Sequence, residues 1–280
     1  MLTRVDRVQL AVRDRSAAEE TFREVLGAEK LREDSSALLA ATRSIVQAGA
    51  SEFELLEPSG EGPVQAHLER WGEGLFAAGF ATNDLSALCE RLSSRGVAWR
   101  EEAGQVHIEP NQTPGMRIVL STHVERRPVG LIKWLYEVTN VIDDHEGAAA
   151  FYADVFALDT AKFSPIKSRD YGYTGQLLLF DPPERLDRIE LSQTADPERA
   201  MGSFATKRGQ SIYMCYVETD DVPGVIERLE QRGSRFARRR DEQNPEGLFI
   251  HPSALHGTLM GVSRTNLAWN WSGRPELARR

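Results

Sequence analysis

The pattern that decides the fold is residues 134–156, WLYEVTNVIDDHEGAAAFYADVF. Its periodicity indicates an apolar strand, a turn at a pair of aspartates, and a helix with aromatic residues on its buried face. The same pattern occurs near the start of the chain as residues 7–27, RVQLAVRDRSAAEETFREVLG. In each copy an aromatic residue, Phe22 or Tyr152, is the eighth residue after the turn aspartate. A strand, turn and helix that recur half a chain apart predict an internal duplication.

Composition restricts the class of protein. The chain has 280 residues, 41% of them hydrophobic and 27% charged, as in a globular protein with a sizeable core. Its net charge of -8 argues against a nucleic-acid partner, and the basic run at 238–240 is interpreted as a solvated loop. Two cysteines, no signal peptide and no apolar stretch of membrane-spanning length predict a cytoplasmic protein without a membrane partner.

A second duplication is nested inside the first. RLSSRG at 91–96 returns as RLEQRG at 228–233, and the spacing Ile-x-Pro-x4-Gly that starts at Ile108 returns at Ile250. Each half therefore holds two units made of a strand, a helix and three strands. A single unit leaves one face of its small sheet uncovered, so two units should close around a shared cleft. The predicted fold class is α+β, with tandem βαβββ units that form two modules, each a curved sheet around a cleft.

The predicted domain boundaries follow from these repeats. The N-terminal module covers residues 1–124, and a linker with proline and glycine covers 125–133. The C-terminal module covers 134–264. A tail of 265–280 contains Trp269 and Trp271, which we expect to dock on the cleft rim or on a second subunit.

The repeated segments resemble the vicinal oxygen chelate superfamily, which includes glyoxalases, bleomycin-resistance proteins and extradiol dioxygenases. The resemblance is carried by VRD at 12–14 with FREVLG at 22–27, by FELLEP at 53–58, and by IHP at 250–252 with the following HG. It covers nearly the whole chain. It implies the paired-module fold and a small-molecule ligand, but the superfamily contains both enzymes and binding proteins, so a reaction does not follow from it.

The resemblance also implies where a metal would be bound. The family positions in the N-terminal half hold Arg7, Glu54, Ala77 and Val119. Guanidinium and aliphatic groups cannot ligate a metal, so this cleft is expected to be metal-free, with Arg7 paired to Glu54. The C-terminal positions hold Glu137, Glu190, Met214 and Gly261. This set departs from the two histidines and one glutamate of the family's dioxygenases, so we expect no cofactor, with a weakly held divalent cation as the alternative.

Two carboxylates in one partly apolar cleft predict acid-base catalysis. Because both cannot ionise cheaply, one should have a raised pKa. We assign Glu137 as the base, Glu190 as the partner acid, and His256 as a possible proton shuttle at the mouth of the cleft. The alternative is that the carboxylates pair with an arginine such as Arg188 or Arg264.

Candidate substrate-binding residues surround this pair. Met214 and Tyr216 should face the cleft together with Ile212 if the strand alternates regularly, and they suit an apolar or aromatic ligand with one polar handle. Tyr171 lies in a segment that could form a lid. The complete predicted set is Met214, Tyr216, His251, Tyr171 and Thr139.

The resulting functional hypothesis is a small-molecule enzyme, a lyase, isomerase or epimerase, that moves protons without a metal on an apolar or aromatic carbonyl compound. Under it, Glu137→Gln should abolish turnover and spare binding. The first alternative is a protein that sequesters a drug or metabolite. The second is a metal-dependent lyase or an extradiol-type dioxygenase with an unusual ligand set. Either a monomer or a homodimer is compatible with the duplication.

Overall fold

Two curved eight-stranded sheets form the framework of the computed structural model. It describes residues 1–180, 185–194, 196–239, 246–264, 269–270 and 275–278. Each sheet belongs to one half of the chain. The predicted α+β fold with tandem βαβββ units is therefore confirmed.

The first sheet is built around a central pair of strands. Its strands are β1 (Leu2–Ala11), β2 (Glu29–Ser36), β3 (Ala41–Ala48), β4 (Ser51–Pro58), β5 (Gly74–Thr82), β6 (Arg100–Glu102), β7 (Gln105–Ile108) and β8 (Ile118–Thr122). They lie in the order β2-β3-β4-β1-β5-β8-β7-β6. β1 is parallel to β4 and antiparallel to β5, so the two units of the module join through their first strands.

The second sheet repeats this topology strand for strand. Its strands are β9 (Trp134–Val141), β10 (Phe163–Ser168), β11 (Tyr173–Leu179), β12 (Arg188–Thr194), β13 (Ser211–Thr219), β14 (Phe236–Arg238), β15 (Leu248–Ile250) and β16 (Met260–Arg264). They lie in the order β10-β11-β12-β9-β13-β16-β15-β14. β9 is central, parallel to β12 and antiparallel to β13.

The repeated aspartates are helix caps. The helices are α1 (Arg15–Leu26), α2 (Pro63–Trp71), α3 (Leu85–Ser94), α4 (His145–Phe156), α5 (Ala200–Arg208) and α6 (Val222–Gln231). Asp14, Asp84, Asp144 and Asp221 precede α1, α3, α4 and α6, and each carboxylate accepts the backbone N–H three residues ahead. An N-cap of this kind satisfies one of the donors that a helix start leaves unpaired, which explains why the aspartate recurs in all four units.

The helices of the two modules pack into one shared core. A single cluster of buried apolar residues contains Phe22 and Leu88 from the first module and Phe156 and Leu229 from the second. Phe80 of β5 contacts the ring of Phe156, with 6.4 Å between centroids. The two modules therefore bury their apolar helix faces against each other. None of the helices in the described part of the chain is both long enough and apolar enough to cross a membrane.

Two equivalent glycines allow close backbone contact between the modules at this interface. Gly115 and Gly257 both have a φ of 77°, in the left-handed region, and each lies against backbone of the other module. A side chain on Gly115 would overlap the carbonyl of Gln210, and one on Gly257 would overlap the carbonyl of Glu73. The repeated Ile-x-Pro-x4-Gly spacing thus places two equivalent loops in contact with the opposite module.

Candidate active site

A cavity of about 840 Å³ lies on the concave side of the second sheet. Its wall is formed by the hairpin of β10 and β11, by β12 and β13, by the strands β14 and β15, and by the start of α5. The volume is in the range of small-molecule sites. Aromatic rings provide much of the lining: Tyr171, Tyr173, Tyr213, Tyr216, Phe236 and Phe249.

A β-bulge in β13 decides which side chains reach the cavity. The pairing of β13 with β9 shifts register between Ile212 and Met214. Ile212 therefore belongs to the helix-side core, whereas Tyr213 and Met214 both line the cavity. The expectation that Ile212 shares the orientation of Met214 and Tyr216 is wrong, because a bulge places two successive residues on one side of a strand.

Glu190 of β12 is a buried carboxyl group that faces the cavity. Its side chain is 5% exposed, and the Ser192 hydroxyl donates a hydrogen bond of 2.8 Å to Oε1. Burial, and then the negative charge of Glu137, raise the pKa of Glu190 from its ordinary value of 4.5 to about 8. Glu190 is therefore mostly protonated at neutral pH.

Glu137 of β9 lies behind Glu190, fully buried and outside the lining of the cavity. Its Oε2 accepts a hydrogen bond from Nε of Arg188 at 2.5 Å, and Thr139 is 3.4 Å from Oε1. Burial alone would lower the pKa of Arg188, but Glu137 outweighs it and the pKa is raised. Glu137 is thus half of a buried ion pair, the alternative left open by the sequence, and neither Glu137 nor Thr139 touches the cavity.

The four positions at which the family resemblance implied metal ligands do not fit a metal ion here. A guanidinium already occupies the side of Glu137 where a cation would bind. Met214 and Gly261 contribute no oxygen or nitrogen side-chain donor, and the raised pKa of Glu190 disfavours the anion that a metal needs. In the part of the chain that the structure describes, His, Cys, Asp and Glu side chains form no group of three that could hold a metal ion.

Tyr216 provides a polar handle in the aromatic wall. Arg239 donates a hydrogen bond of 2.8 Å to the Tyr216 hydroxyl, and its guanidinium lies 5.2 Å from the ring centroid of Phe249. Burial raises the pKa of Tyr216 well above its ordinary value, so the hydroxyl keeps its proton. Since the hydroxyl oxygen accepts from Arg239, its own hydrogen is available to a ligand oxygen. Tyr171, 42% exposed, packs edge-on against Phe249 at the turn of the β10–β11 hairpin.

His251 also lines the cavity, on the wall opposite β12 in the order of the sheet. Its Nδ1 accepts the backbone N–H of Ser253 at 3.1 Å. The neutral ring must therefore carry its proton on Nε2, so that His251 offers a hydrogen-bond donor.

His256 does not reach the cleft, which corrects its predicted role as a proton shuttle. Its Nε2 is 3.1 Å from the Thr21 hydroxyl and its Nδ1 is 3.3 Å from a carboxylate oxygen of Glu73, both in the N-terminal module. The residue precedes Gly257 in the loop that contacts the other module, so its side chain serves the interface.

One residue of the tail, Trp269, packs into the apolar cluster next to the site. Trp269 is 4% exposed and belongs to the apolar cluster that contains Tyr136, Met214 and Tyr216. Trp271, the second tryptophan of the predicted aromatic tail, lies outside the described residues.

The N-terminal cleft is filled by its own polar side chains. Arg7 Nη1 donates to Glu54 Oε1 at 2.8 Å, as expected, and Gln9 donates to Oε2 at 2.8 Å. Burial would raise the pKa of Glu54, but the charges of Arg7 and Arg43 outweigh it and hold that pKa at about 2. Glu54 and Glu190 occupy equivalent strands of the two modules, yet only Glu190 faces a cavity.

With the fold and the site in place, comparisons with known proteins give the family. Residues 6–113 match the model of the glyoxalase/bleomycin resistance protein/dioxygenase superfamily. The uncharacterized protein YqjC of Bacillus subtilis is 31% identical over 97 residues, which are 34% of this chain and 69% of that protein. The chain belongs to this superfamily. The residues that match the family model lie in the N-terminal module, whereas the open cavity lies in the C-terminal module.

One solved structure shares this architecture over both modules. A variant of 4-hydroxymandelate synthase from Streptomyces coelicolor is similar over 95% of this chain and 93% of its own, with a TM-score of 0.74 and 14% identity. Methylmalonyl-CoA epimerase from Mycobacterium tuberculosis covers 48% of this chain with 89% of its own, at a TM-score of 0.42 and 25% identity. The first similarity extends across both modules and supports the fold.

Sequence reasoning missed several residues of the site. The orientation of Tyr213 depends on the bulge in β13, and the residue types of the strand give no sign of that bulge. Arg239 belongs to the basic run interpreted as a solvated loop, but its guanidinium lies in the cavity wall. A usable signal was the clustering of cations near β14 on an otherwise acidic chain.

Proposed function

We propose that the chain is an enzyme that transfers protons on an apolar or aromatic carbonyl compound in the C-terminal cavity, without a metal ion. The observation that carries this proposal is Glu190, a buried carboxyl group with a pKa of about 8 at the wall of an aromatic cavity. A group with this pKa can both take up and release a proton near neutral pH.

The reaction step uses Glu190 as acid and base in turn. The ionised carboxylate removes a proton from the carbon next to the carbonyl, and the electron pair of the C–H bond moves toward the carbonyl oxygen. Tyr216 and His251 can donate hydrogen bonds to that oxygen while it carries negative charge. The protonated Glu190 then returns the proton to carbon, which gives an isomer or epimer. In an elimination, the electron pair instead forms a C=C bond as the bond from the adjacent carbon to the leaving group breaks, and Glu190 protonates the departing group.

Glu137 and Arg188 act on Glu190 from behind. After burial, the Glu137 charge is the largest cause of the raised Glu190 pKa, and Arg188 holds Glu137 in place at 2.5 Å. Glu137 is therefore a positioning residue in this proposal, and the base role moves to Glu190. Glu137→Gln should lower the Glu190 pKa and shift the pH profile of exchange to lower pH.

The experiment measures proton exchange directly, since it requires no knowledge of the product. A panel of aromatic and aliphatic ketones, keto acids and thioesters is incubated with the protein in deuterium oxide, and loss of the proton next to the carbonyl is followed by nuclear magnetic resonance. Glu190→Gln should slow exchange at least ~100-fold while preserving ligand binding. Glu198→Gln, an exposed carboxyl group, is the matched control.

Two results would contradict the proposal. Exchange that persists in Glu190→Gln would exclude this residue as the acid-base group. A ligand that binds in the cavity but is recovered without deuterium and chemically unchanged would favour the sequestering protein, for which the large aromatic cavity is the supporting observation.

A further inference from the structure

The cavity has a charge opposite to that of the chain. The chain carries a net charge of -8, whereas four cationic side chains line the cavity: Lys167, Arg199, Arg235 and Arg239. The two carboxyl groups in the same lining are Asp170 and Glu190, and Glu190 is mostly protonated at neutral pH. The site therefore has an excess of positive charge.

The cations stand at the mouth of the cavity. Lys167 and Arg235 are exposed, whereas Glu190 is buried at the inner wall. Lys167 lies at the β10 edge of the curved sheet and Arg235 just before β14 at the opposite edge. The two charges thus flank the opening from both sides.

These two cations differ from most others on the chain. Arg199 is already engaged with Asp196 and with the carbonyl of Asp170. In the described ranges, no carboxylate lies within ion-pair distance of Lys167 or Arg235. Surface cations are usually balanced by neighbouring carboxylates, as Arg238 of β14 is by Glu230.

The start of α5 adds to the positive potential. Ala200 and Met201, its first two residues, line the cavity, and no side chain caps this helix. The N-terminal end of a helix carries partial positive charge, which favours an anion nearby.

We propose that the ligand carries an anionic group, a carboxylate, sulfonate or phosphate, which binds at the mouth between Lys167 and Arg235 while its apolar body enters the aromatic cavity. This inference rests on the proposed function for the site, whose substrate class it narrows to amphipathic anions. The acid-base group and the anion site are then at opposite ends of the same ligand.

The test uses two fluorescent probes that differ only in charge. Anilinonaphthalene sulfonate carries one sulfonate on two linked aromatic systems, and phenylnaphthylamine is the same molecule without it. Both fluoresce more strongly in an apolar site, so their affinities can be measured by titration. The sulfonate should bind about 10-fold more tightly, and raising the salt concentration should reduce this difference.

Three variants distinguish the effect of charges at the cavity mouth from that of charge elsewhere on the surface. Lys167→Gln and Arg235→Gln should each weaken binding of the sulfonate by about 3- to 10-fold and leave the neutral probe within about twofold. Arg238→Gln is the matched control, because it removes the same charge three residues from Arg235 but outside the cavity lining. It should change neither affinity.

The outcomes distinguish this inference from the proposed function. Equal affinities for the two probes, or equal effects of Arg235→Gln and Arg238→Gln, would overturn the anion site, while exchange that depends on Glu190 would still stand. If the protein prefers the sulfonate probe but catalyses no proton exchange, the anion site would stand and the proposed enzymatic activity would be rejected. A sulfonate-to-phosphate comparison of probes on the same rings would then identify the preferred anion.

Discussion

At the scale of single residues, two equivalent glutamates show how surroundings decide chemistry. Glu54 aligns with Gln9 across β4 and β1, and Glu190 aligns with Thr139 across β12 and β9. Two arginines hold the pKa of Glu54 at about 2, whereas burial and the charge of Glu137 raise that of Glu190 to about 8. The same residue type is therefore a structural anion in one module and a candidate acid in the other.

The raised pKa predicts how stability depends on pH. The folded protein binds more protons at Glu190 than the unfolded chain does between pH 4.5 and about 8. The stabilisation that the protonated Glu190 contributes is complete below pH 4.5 and is lost as the pH rises through about 8. In Glu190→Gln this side chain stays neutral at every pH. The free energy of unfolding of the variant should therefore fall less than that of the wild type across this pH window, with a difference on the order of a few kcal/mol. Urea denaturation at a series of pH values measures the difference.

A second buried carboxyl group should add to this dependence of stability on pH. Burial raises the pKa of Glu218 to about 7, so Glu218 contributes in the same direction. Glu218→Gln should therefore reduce the slope as well, and the double variant should reduce it further. Identical slopes in the wild type and in Glu190→Gln would show that Glu190 has an ordinary pKa.

At the scale of elements, small irregularities position the site and join the modules. The bulge in β13 turns both Tyr213 and Met214 toward the cavity. The loops that end at Gly115 and Gly257 reach across to the opposite module. Neither feature follows from the repeat of strands and helices alone, since both depend on what packs against the chain.

The glycine loops predict a specific loss of stability on substitution. Gly115→Ala should cost more than the ~1 kcal/mol of left-handed strain, because its new methyl group would also overlap the backbone of Gln210. Gly96→Ala is the matched control, with a φ of 71° and open space around it. We expect Gly115→Ala to cost roughly 1–3 kcal/mol more than the control, measured by chemical denaturation. Equal losses would mean that the loop can move away without cost.

At the scale of the whole molecule, the two modules are one folding unit with unequal clefts. Their helix faces form a single apolar cluster, and residues 125–133 hydrogen-bond to both sides, from Leu131 to Leu26 and from Lys133 to Glu218. One concave side is filled by the Arg7 and Glu54 network, and the other is open. The N-terminal module thus supports the site that it does not form.

This shared core predicts cooperative unfolding of the full chain. Tryptophan fluorescence and circular dichroism should give coincident denaturation curves with one transition, because neither module can retain its core alone. Trp71 and Trp99 lie in the first module and Trp134 in the second, with Trp269 and Trp271 in the tail, so the fluorescence reports on both halves. Two separated transitions would show that the modules are independently stable.

The sequence by itself determined the duplication, the tandem βαβββ architecture and the strands that carry Glu137 and Glu190. These follow from local periodicity and from repeated spacings, which a linear chain records directly. Only the tertiary structure decided that Glu190 faces the cavity, that Glu137 is held by Arg188, and that His256 lies between the modules. Orientation at a bulge, ion pairing and pKa depend on side chains brought together from distant strands, and no single segment encodes those neighbours.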